Sequence, residues 1–140
     1  MMLTVFVYGT LKPGEAYYKL YCEPYVVTVV PALTRGCLFH LPEGYPAMTL
    51  GDDWVTGALL QLRDDQAIAH MDELEDYDPA LSQADNLYIR QLRPVFSMER
   101  QPLGLAWLYW MRPERVRQSG GIPIPAGIWS RQQWPSISQI

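Results

Sequence analysis

The sequence has few of the residues that build metal centres or disulfide networks. Its 140 residues include two cysteines, Cys22 and Cys37, and two histidines, His40 and His70. Neither cysteine belongs to a Cys-x-x-Cys pair, and neither histidine has a partner at ligand spacing. The sequence therefore predicts buried free thiols, no metal site and no cofactor.

Long apolar runs and an excess of basic residues are also missing. No apolar run approaches the ~18 residues of a membrane span, and the start MMLTVFVYG has no basic leader or small-residue cleavage site. The net charge is −4 and the 11 basic residues are scattered, which argues against binding to a phosphate backbone. We therefore expect a cytoplasmic protein with neither a membrane nor a nucleic-acid partner. The one basic cluster, residues 112–117, is interrupted by Glu114 and predicts a solvated face.

What the sequence does contain is a series of strand patterns. Each is rich in β-branched or aromatic residues, and Gly, Pro, Asp or Asn separates it from the next. The six segments are 3–9, 25–30, 33–41, 54–62, 86–96 and 103–111. This spacing is typical of a sheet or a small barrel. With the helices described next, it predicts one α+β domain over residues 1–140.

Helix patterns are fewer. The segment DDQAIAHMDELEDYDP predicts a helix with Asp64 or Asp65 as its N-cap and Pro79 soon after its end, and EAYYKLY allows a short helical turn. From Ser119 the pattern ends, and residues 119–140 predict an extended Pro/Gly/Trp-containing segment. Trp129 and Trp134 in that segment are expected to pack on the surface, at the contact of a possible homodimer.

The acids of the main helix differ in the direction that they face. At about 100° per residue, Ala67, Met71 and Leu74 form one apolar stripe, and Glu75 lies inside that sector. Three other acids lie outside it and are expected to point away from the core: Asp72, Glu73 and Asp76. An inward carboxylate at a helix C-terminus has a raised pKa, as a general base does. The alternatives are that Glu75 pairs with an arginine such as Arg90 or reaches solvent.

Four motifs together resemble one family. They are VYGTL after the first strand, LPEGYPAM after the third, MDELEDYDP on the helix and NLYIR at the next strand. In order and spacing they are similar to the gamma-glutamylcyclotransferase-like family, which includes plant avirulence-induced proteins and gamma-glutamylamine cyclotransferases. The resemblance implies a small mixed, mainly antiparallel β-barrel with flanking helices.

The resemblance also implies an activity, the cyclisation of a gamma-glutamyl compound to 5-oxoproline with release of an amine or amino acid. By position, Glu75 would be the catalytic acid/base, and Tyr8, Gly9, Thr10 and Leu11 would line the glutamyl-binding loop. The sequence departs from the family pattern at Asp76, where many relatives have glycine.

The glycine in this loop suggests how an anion would be bound. Gly9 permits a sharp turn in which successive N–H groups converge on a carboxylate. Tyr45 and Tyr88 could add hydroxyl hydrogen bonds, or could instead be packing residues with satisfied hydroxyls.

Two other functions stay open from the sequence. The chain could be a non-catalytic binding module for small carboxylate metabolites, or an interaction protein whose aromatic C-terminal segment docks a partner. A pure carboxylate binder gains nothing from a second negative group, so the combination of Glu75 with the YGTL loop favours the enzyme.

Overall fold

The computed structural model describes residues 3–63, 66–82 and 85–131. Among them six strands form one sheet: β1 (Leu3–Val7), β2 (Val26–His40), β3 (Pro46–Leu62), β4 (Ile89–Phe96), β5 (Pro102–Trp110) and β6 (Ile122–Pro123). Three helices accompany it: α1 (Tyr18–Tyr21), α2 (Ala67–Leu74) and α3 (Pro113–Gln118), with a 3-10 turn at Glu23–Tyr25. No helix in these ranges is long and apolar enough to cross a membrane.

The sheet is mixed but mostly antiparallel. Its strands lie in the order β3-β1-β5-β4-β2-β6, and β2 also pairs with β3 along most of its length. Only the β1–β5 pair, which aligns Val5 with Trp107, is parallel. The prediction of an α+β fold with a mainly antiparallel sheet is confirmed.

Strand β1 lies between β3 and β5, and both of its faces are apolar. Val5 and Val7 pack into one buried cluster, whereas Phe6 and Tyr8 pack into the other. Side chains alternate between the two faces of a strand, so a continuous apolar run is what a strand buried on both sides requires. This burial fixes the position of the residues that follow Val7, which begin the YGTL loop.

The predicted strand boundaries differ most from the structure at two places. Segments 25–30 and 33–41 were expected to be separate strands but form the single strand β2, in which Pro31 still pairs with Ala58. Strand β3 begins at Pro46, eight residues before the predicted segment, because its first half pairs with the second half of β2. The pairing of β2 with β3 therefore outweighed the local Pro and Gly residues, which had indicated breaks in the strands.

Helix α3 was absent from the sequence prediction. Pro113 occupies its first turn, where a missing N–H costs nothing, and Val116 is buried. The remainder is exposed or half-buried, and Arg112 pairs with Glu114 at 3.3 Å. The predicted solvated face is therefore the outer side of a short helix.

The C-terminal segment also differs from expectation. Trp129 was expected on the surface but is fully buried, and its Nε1 donates a hydrogen bond to His40 Nδ1 at 3.0 Å. The segment includes β6, which pairs with Phe39 and His40 of β2. An indole with a hydrogen-bond partner is readily buried, and the local sequence does not disclose this distant partner. Trp134 lies outside the described residues.

Helix α2 ends in a Schellman motif. The Asp76 N–H donates to Glu73 O at 3.3 Å and the Tyr77 N–H donates to Asp72 O at 2.9 Å, while Asp76 adopts a left-handed φ of 53°. Glycine is the usual residue at this position, which gives a physical reason for the glycine that the family resemblance led us to expect there. Glu75 is therefore the C-cap, one residue beyond the helix. The predicted N-cap, Asp64 or Asp65, lies outside the described residues.

The left-handed conformation at Asp76 gives a stability prediction. Asp76→Ala should destabilise the protein by about 1 kcal/mol, since alanine lacks the short polar side chain with which aspartate hydrogen-bonds locally in this left-handed region. Asp76→Gly should be as stable as the parent or more stable, because glycine adopts this φ without steric cost. Urea denaturation of the two variants measures the difference. Equal stability of Asp76→Ala and Asp76→Gly would show that the φ carries no cost.

Candidate active site

The loop after β1 opens onto a cavity of about 400 Å³. Its walls come from this loop, the start of β3, the end of α2, the start of β4 and the end of β5. All seven site residues predicted from the sequence line it: Tyr8, Gly9, Thr10, Leu11, Tyr45, Glu75 and Tyr88. The volume falls within the range of small-molecule sites. The sequence thus identified residues that the fold brings together from four separate segments.

Gly9 is required by close packing. A Cβ at this position would lie 2.4 Å from Pro46 Cγ, which no side chain can occupy without displacing the proline. The φ of Gly9 is not in the left-handed region, so the reason for glycine is space and not a special turn. This contact brings the YGTL loop directly against the start of β3.

The backbone carbonyls and N–H groups of the loop differ in their hydrogen bonding. The Lys12 N–H donates to Gly9 O and the Tyr17 N–H to Thr10 O, each at 2.9 Å, so the carbonyls of the loop are used. The N–H groups of Gly9, Thr10 and Leu11 donate to no other described residue. Unpaired backbone N–H groups at a cavity are a common site for anions.

Glu75 lies at the cavity in an apolar setting. Among the described residues no hydrogen bond or ion pair reaches its carboxylate. The surrounding protein raises the pKa of Glu75 from 4.5 to about 8 by desolvation of the charged form. Part of the residue remains open to solvent, which moderates the size of this effect and leaves its direction unchanged. A carboxyl group that titrates near neutral pH can accept and return a proton.

Asp72 also points inward, contrary to the helical-wheel prediction. It is buried, accepts a hydrogen bond from the Tyr109 hydroxyl at 2.6 Å and pairs with Arg90 at 3.1 Å. Arg90 therefore pairs with Asp72, and the suggested Glu75–Arg90 pair is not formed. Burial raises the pKa of Asp72, although Tyr109 and Arg90 act in the opposite direction. The wheel missed this residue because it assigns inward positions from apolar side chains alone.

The tyrosines of the site differ in how their hydroxyls are used. Tyr8 donates to Tyr109 O at 2.6 Å and accepts from the Met48 N–H at 3.3 Å. Tyr88 donates to Pro46 O at 2.7 Å, so its proton is not available to a ligand as the sequence had suggested, because a buried hydroxyl has to be satisfied within the fold. The Tyr45 hydroxyl donates to no described residue, and Tyr45 is half-buried.

Several cavity residues were missed by the sequence analysis. The polar ones are Tyr17, Glu43, Tyr109 and Arg131. They come from parts of the chain that carry none of the four motifs, apart from Glu43 in LPEGYPAM. Glu43 is therefore the one of these four residues that a motif could have indicated as part of the site.

The cysteines are not part of a disulfide. Cys22 is buried and Cys37 half-buried, and both are free, so burial is confirmed for the first only. Burial, followed by the nearby Glu75 charge, raises the pKa of Cys22 to about 12, which keeps it in the unreactive thiol form. Within the described ranges no three His, Cys, Asp or Glu residues form a group that could hold a metal ion.

The chain belongs to the gamma-glutamyl cyclotransferase, AIG2-like family, whose model matches residues 5–131. The gamma-L-glutamyl-butirosin B gamma-glutamyl cyclotransferase of Niallia circulans is 33% identical to it over 76 residues. That match covers 54% of this chain and 47% of the relative, so the chain spans about half the length of this curated protein.

Solved structures show the same fold. YkqA from Bacillus subtilis has a TM-score of 0.66 at 23% identity, over 95% of this chain and 41% of that one. An AIG2-like protein from Mus musculus has a TM-score of 0.60 at 22% identity, over 94% and 90% of the two chains. At these identities the likeness extends to the fold alone.

The Asp72 contacts give a prediction that reverses the expectation from the wheel. Asp72→Asn should destabilise the protein by about 1–3 kcal/mol, because Arg90 keeps its charge in a mostly buried position and loses its anionic partner. Glu73→Gln, at the adjacent exposed position, should change stability by less than about 0.5 kcal/mol. Chemical denaturation at pH 7 measures both. An unchanged midpoint in Asp72→Asn would contradict the inward assignment.

Glu75 should also make stability depend on pH. Between pH ~4.5 and ~8 the folded protein holds a proton on Glu75 that the unfolded chain has released, so stability falls as pH rises through this window and levels off above it. Glu75→Gln cannot ionise, and its Tm relative to the parent should increase from pH 5 to pH 8.5.

Glu73→Gln is the control, and its Tm relative to the parent should not vary in this way. A Tm difference for Glu75→Gln that is constant over the same range would show that the buried carboxyl does not titrate as described.

Proposed function

We propose that this protein is a gamma-glutamylcyclotransferase, which converts a gamma-glutamyl compound to 5-oxoproline and releases an amine or amino acid. One observation carries the proposal: Glu75 lines the same cavity as residues 9–11, whose N–H groups donate to no described residue. A proton acceptor and an anion-binding loop are the two elements that the reaction needs. Membership of the family and the activity named for the Niallia circulans relative support it.

The loop holds the glutamyl part in this mechanism. The α-carboxylate accepts hydrogen bonds from the N–H groups of Gly9, Thr10 and Leu11, so no basic side chain is needed at this end. The rings of Tyr8 and Tyr88 form the walls. The Tyr88 hydroxyl donates its hydrogen bond to Pro46 O. Its oxygen can therefore only accept a hydrogen bond from a ligand, which suits an α-ammonium group. The Tyr45 hydroxyl donates to no described residue and can donate to the γ-carbonyl oxygen.

Glu75 moves the protons. Its carboxylate takes one proton from the α-ammonium group, and the freed amine attacks the γ-carbonyl carbon to close a five-membered ring. The bond from this carbon to the leaving nitrogen then breaks as Glu75 returns its proton to that nitrogen. The ring nitrogen loses its second proton, which the released amine takes up. No water or external nucleophile is consumed, and the reaction depends on orientation and proton transfer.

The Asp72–Tyr109–Arg90 contacts support this role for Glu75. Because Arg90 pairs with Asp72, it does not place a cation on Glu75, which would lower the pKa of the base. The Tyr8 hydroxyl is tied to the backbone of Tyr109, so the same cluster fixes a wall of the cavity. Asp72 and Arg90 are positioning residues in this proposal.

Further features remain predictions from the sequence. They are the single domain over residues 1–140, its extended C-terminal segment over residues 119–140 and the possible homodimer. We also propose that the sheet is the small barrel that the resemblance implies, since the pairing that runs from β3 through β1, β5 and β4 to β2 returns to β3.

The proposed activity is tested by incubation with a panel of gamma-glutamyl compounds and detection of 5-oxoproline by mass spectrometry. Glu75→Gln should lower kcat by about 10²-fold or more, because the amide cannot carry a proton, and should leave substrate binding nearly intact. The parent's kcat/KM should fall as pH drops below about 8, since protonation of Glu75 removes the base.

Glu73→Gln should behave as the parent in the same assays. Binding of a gamma-glutamyl compound without formation of 5-oxoproline would favour the non-catalytic binding module. Near-normal turnover by Glu75→Gln would remove Glu75 from the mechanism.

A further inference from the structure

The inference concerns Arg131, and it rests on the proposed function. Three charged residues line the cavity within the described part of the chain: Glu43, Glu75 and Arg131. Arg131 is the one cation among them. No carboxylate of a described residue pairs with its guanidinium, which lies 5.7 Å from the centre of the Trp129 ring.

The fold holds Arg131 at the cavity by a series of anchors. Trp129, two residues earlier, is fully buried, and its carbonyl oxygen accepts a hydrogen bond from Lys12 Nζ. The Arg131 N–H donates to Glu15 Oε1 at 3.2 Å. Lys12 and Glu15 belong to the chain that continues directly from the YGTL loop. The C-terminal segment is therefore hydrogen-bonded to the residues that follow this loop, which holds the backbone of Arg131 in place.

The residues that line the cavity differ in their exposure. Gly9, Leu11 and Tyr88 are buried, whereas Arg131 is half-buried and Glu43 is exposed. With the glutamyl part against the buried residues, the part of the substrate beyond the γ-carbonyl extends toward the more exposed ones, which include Arg131. An anionic group on that part would meet Glu43 as a repulsive charge unless a cation lay close by.

We propose that Arg131 is a specificity-determining residue that binds a carboxylate on the leaving portion of the substrate. Guanidinium groups bind carboxylates in a planar, bidentate geometry, and this one has no acidic partner among the described residues. The protein thus prefers gamma-glutamyl compounds whose released amine carries a carboxylate over those whose released amine is uncharged beyond its nitrogen.

The test compares gamma-glutamyl-alanine, which has such a carboxylate, with gamma-glutamyl-ethylamide, which lacks it. Dissociation constants are measured by calorimetry in the Glu75→Gln background, so that neither ligand is consumed. Adding Arg131→Gln should weaken binding of gamma-glutamyl-alanine by roughly 10- to 100-fold, the loss of a charge-assisted hydrogen bond. Binding of gamma-glutamyl-ethylamide should change by less than about twofold, as this ligand does not reach the guanidinium.

Two variants serve as controls. Arg131→Lys keeps the charge without the planar fork and should give an intermediate dissociation constant for gamma-glutamyl-alanine. Arg112→Gln removes a cation that pairs with Glu114 and does not line the cavity, and it should affect neither ligand. Thermal unfolding confirms that each variant is folded.

Equal weakening of both ligands by Arg131→Gln, or no weakening of either, would overturn the proposal. The proposed activity has a separate readout, the 5-oxoproline formed by the parent protein. The expected pattern of dissociation constants without product would leave the role of Arg131 intact and contradict the cyclotransferase. Product formation with ligand affinities that are independent of Arg131 would support the cyclotransferase and contradict the role of Arg131.

Discussion

Burial of the Glu75 carboxylate without a described cation at ion-pair distance is the constraint on which the site depends. An isolated anion in apolar surroundings is unfavourable, so the group shifts its pKa. A cation beside it would lower that pKa again and remove its ability to exchange protons near neutral pH. Arg90 of strand β4 forms its ion pair with Asp72 instead. Because Asp72 pairs with Arg90, Glu75 has no ion pair with this arginine.

The sequence predicted much of this site because its local signals were strong. The apolar run of β1 indicated a strand buried on both faces, and the loop after it lies at the cavity. Helical periodicity predicted that Glu75 points inward, and it does so although α2 ends at Leu74. The Schellman motif continues the turn by one residue, so the wheel still gave the right direction.

Contacts between distant segments could not be predicted in the same way. Asp72 is inward because Tyr109 and Arg90, from β5 and β4, reach it, and neither is visible in the pattern of the helix. Trp129 is buried because His40 accepts its N–H. Strand β2 runs through Pro31 because β3 pairs alongside it. In each case a partner many residues away decides what the local sequence leaves open.

Gly9 and Pro46 are 37 positions apart in the sequence, and their contact packs the two motifs that contain them against each other. Both residues occupy a single small volume, so a larger residue at position 9 requires a smaller or displaced one at position 46. A larger residue at position 9 alone would clash with Pro46, and a smaller residue at position 46 alone would leave a gap. In related sequences we therefore expect these two positions to covary, so that both residues are kept or both are replaced.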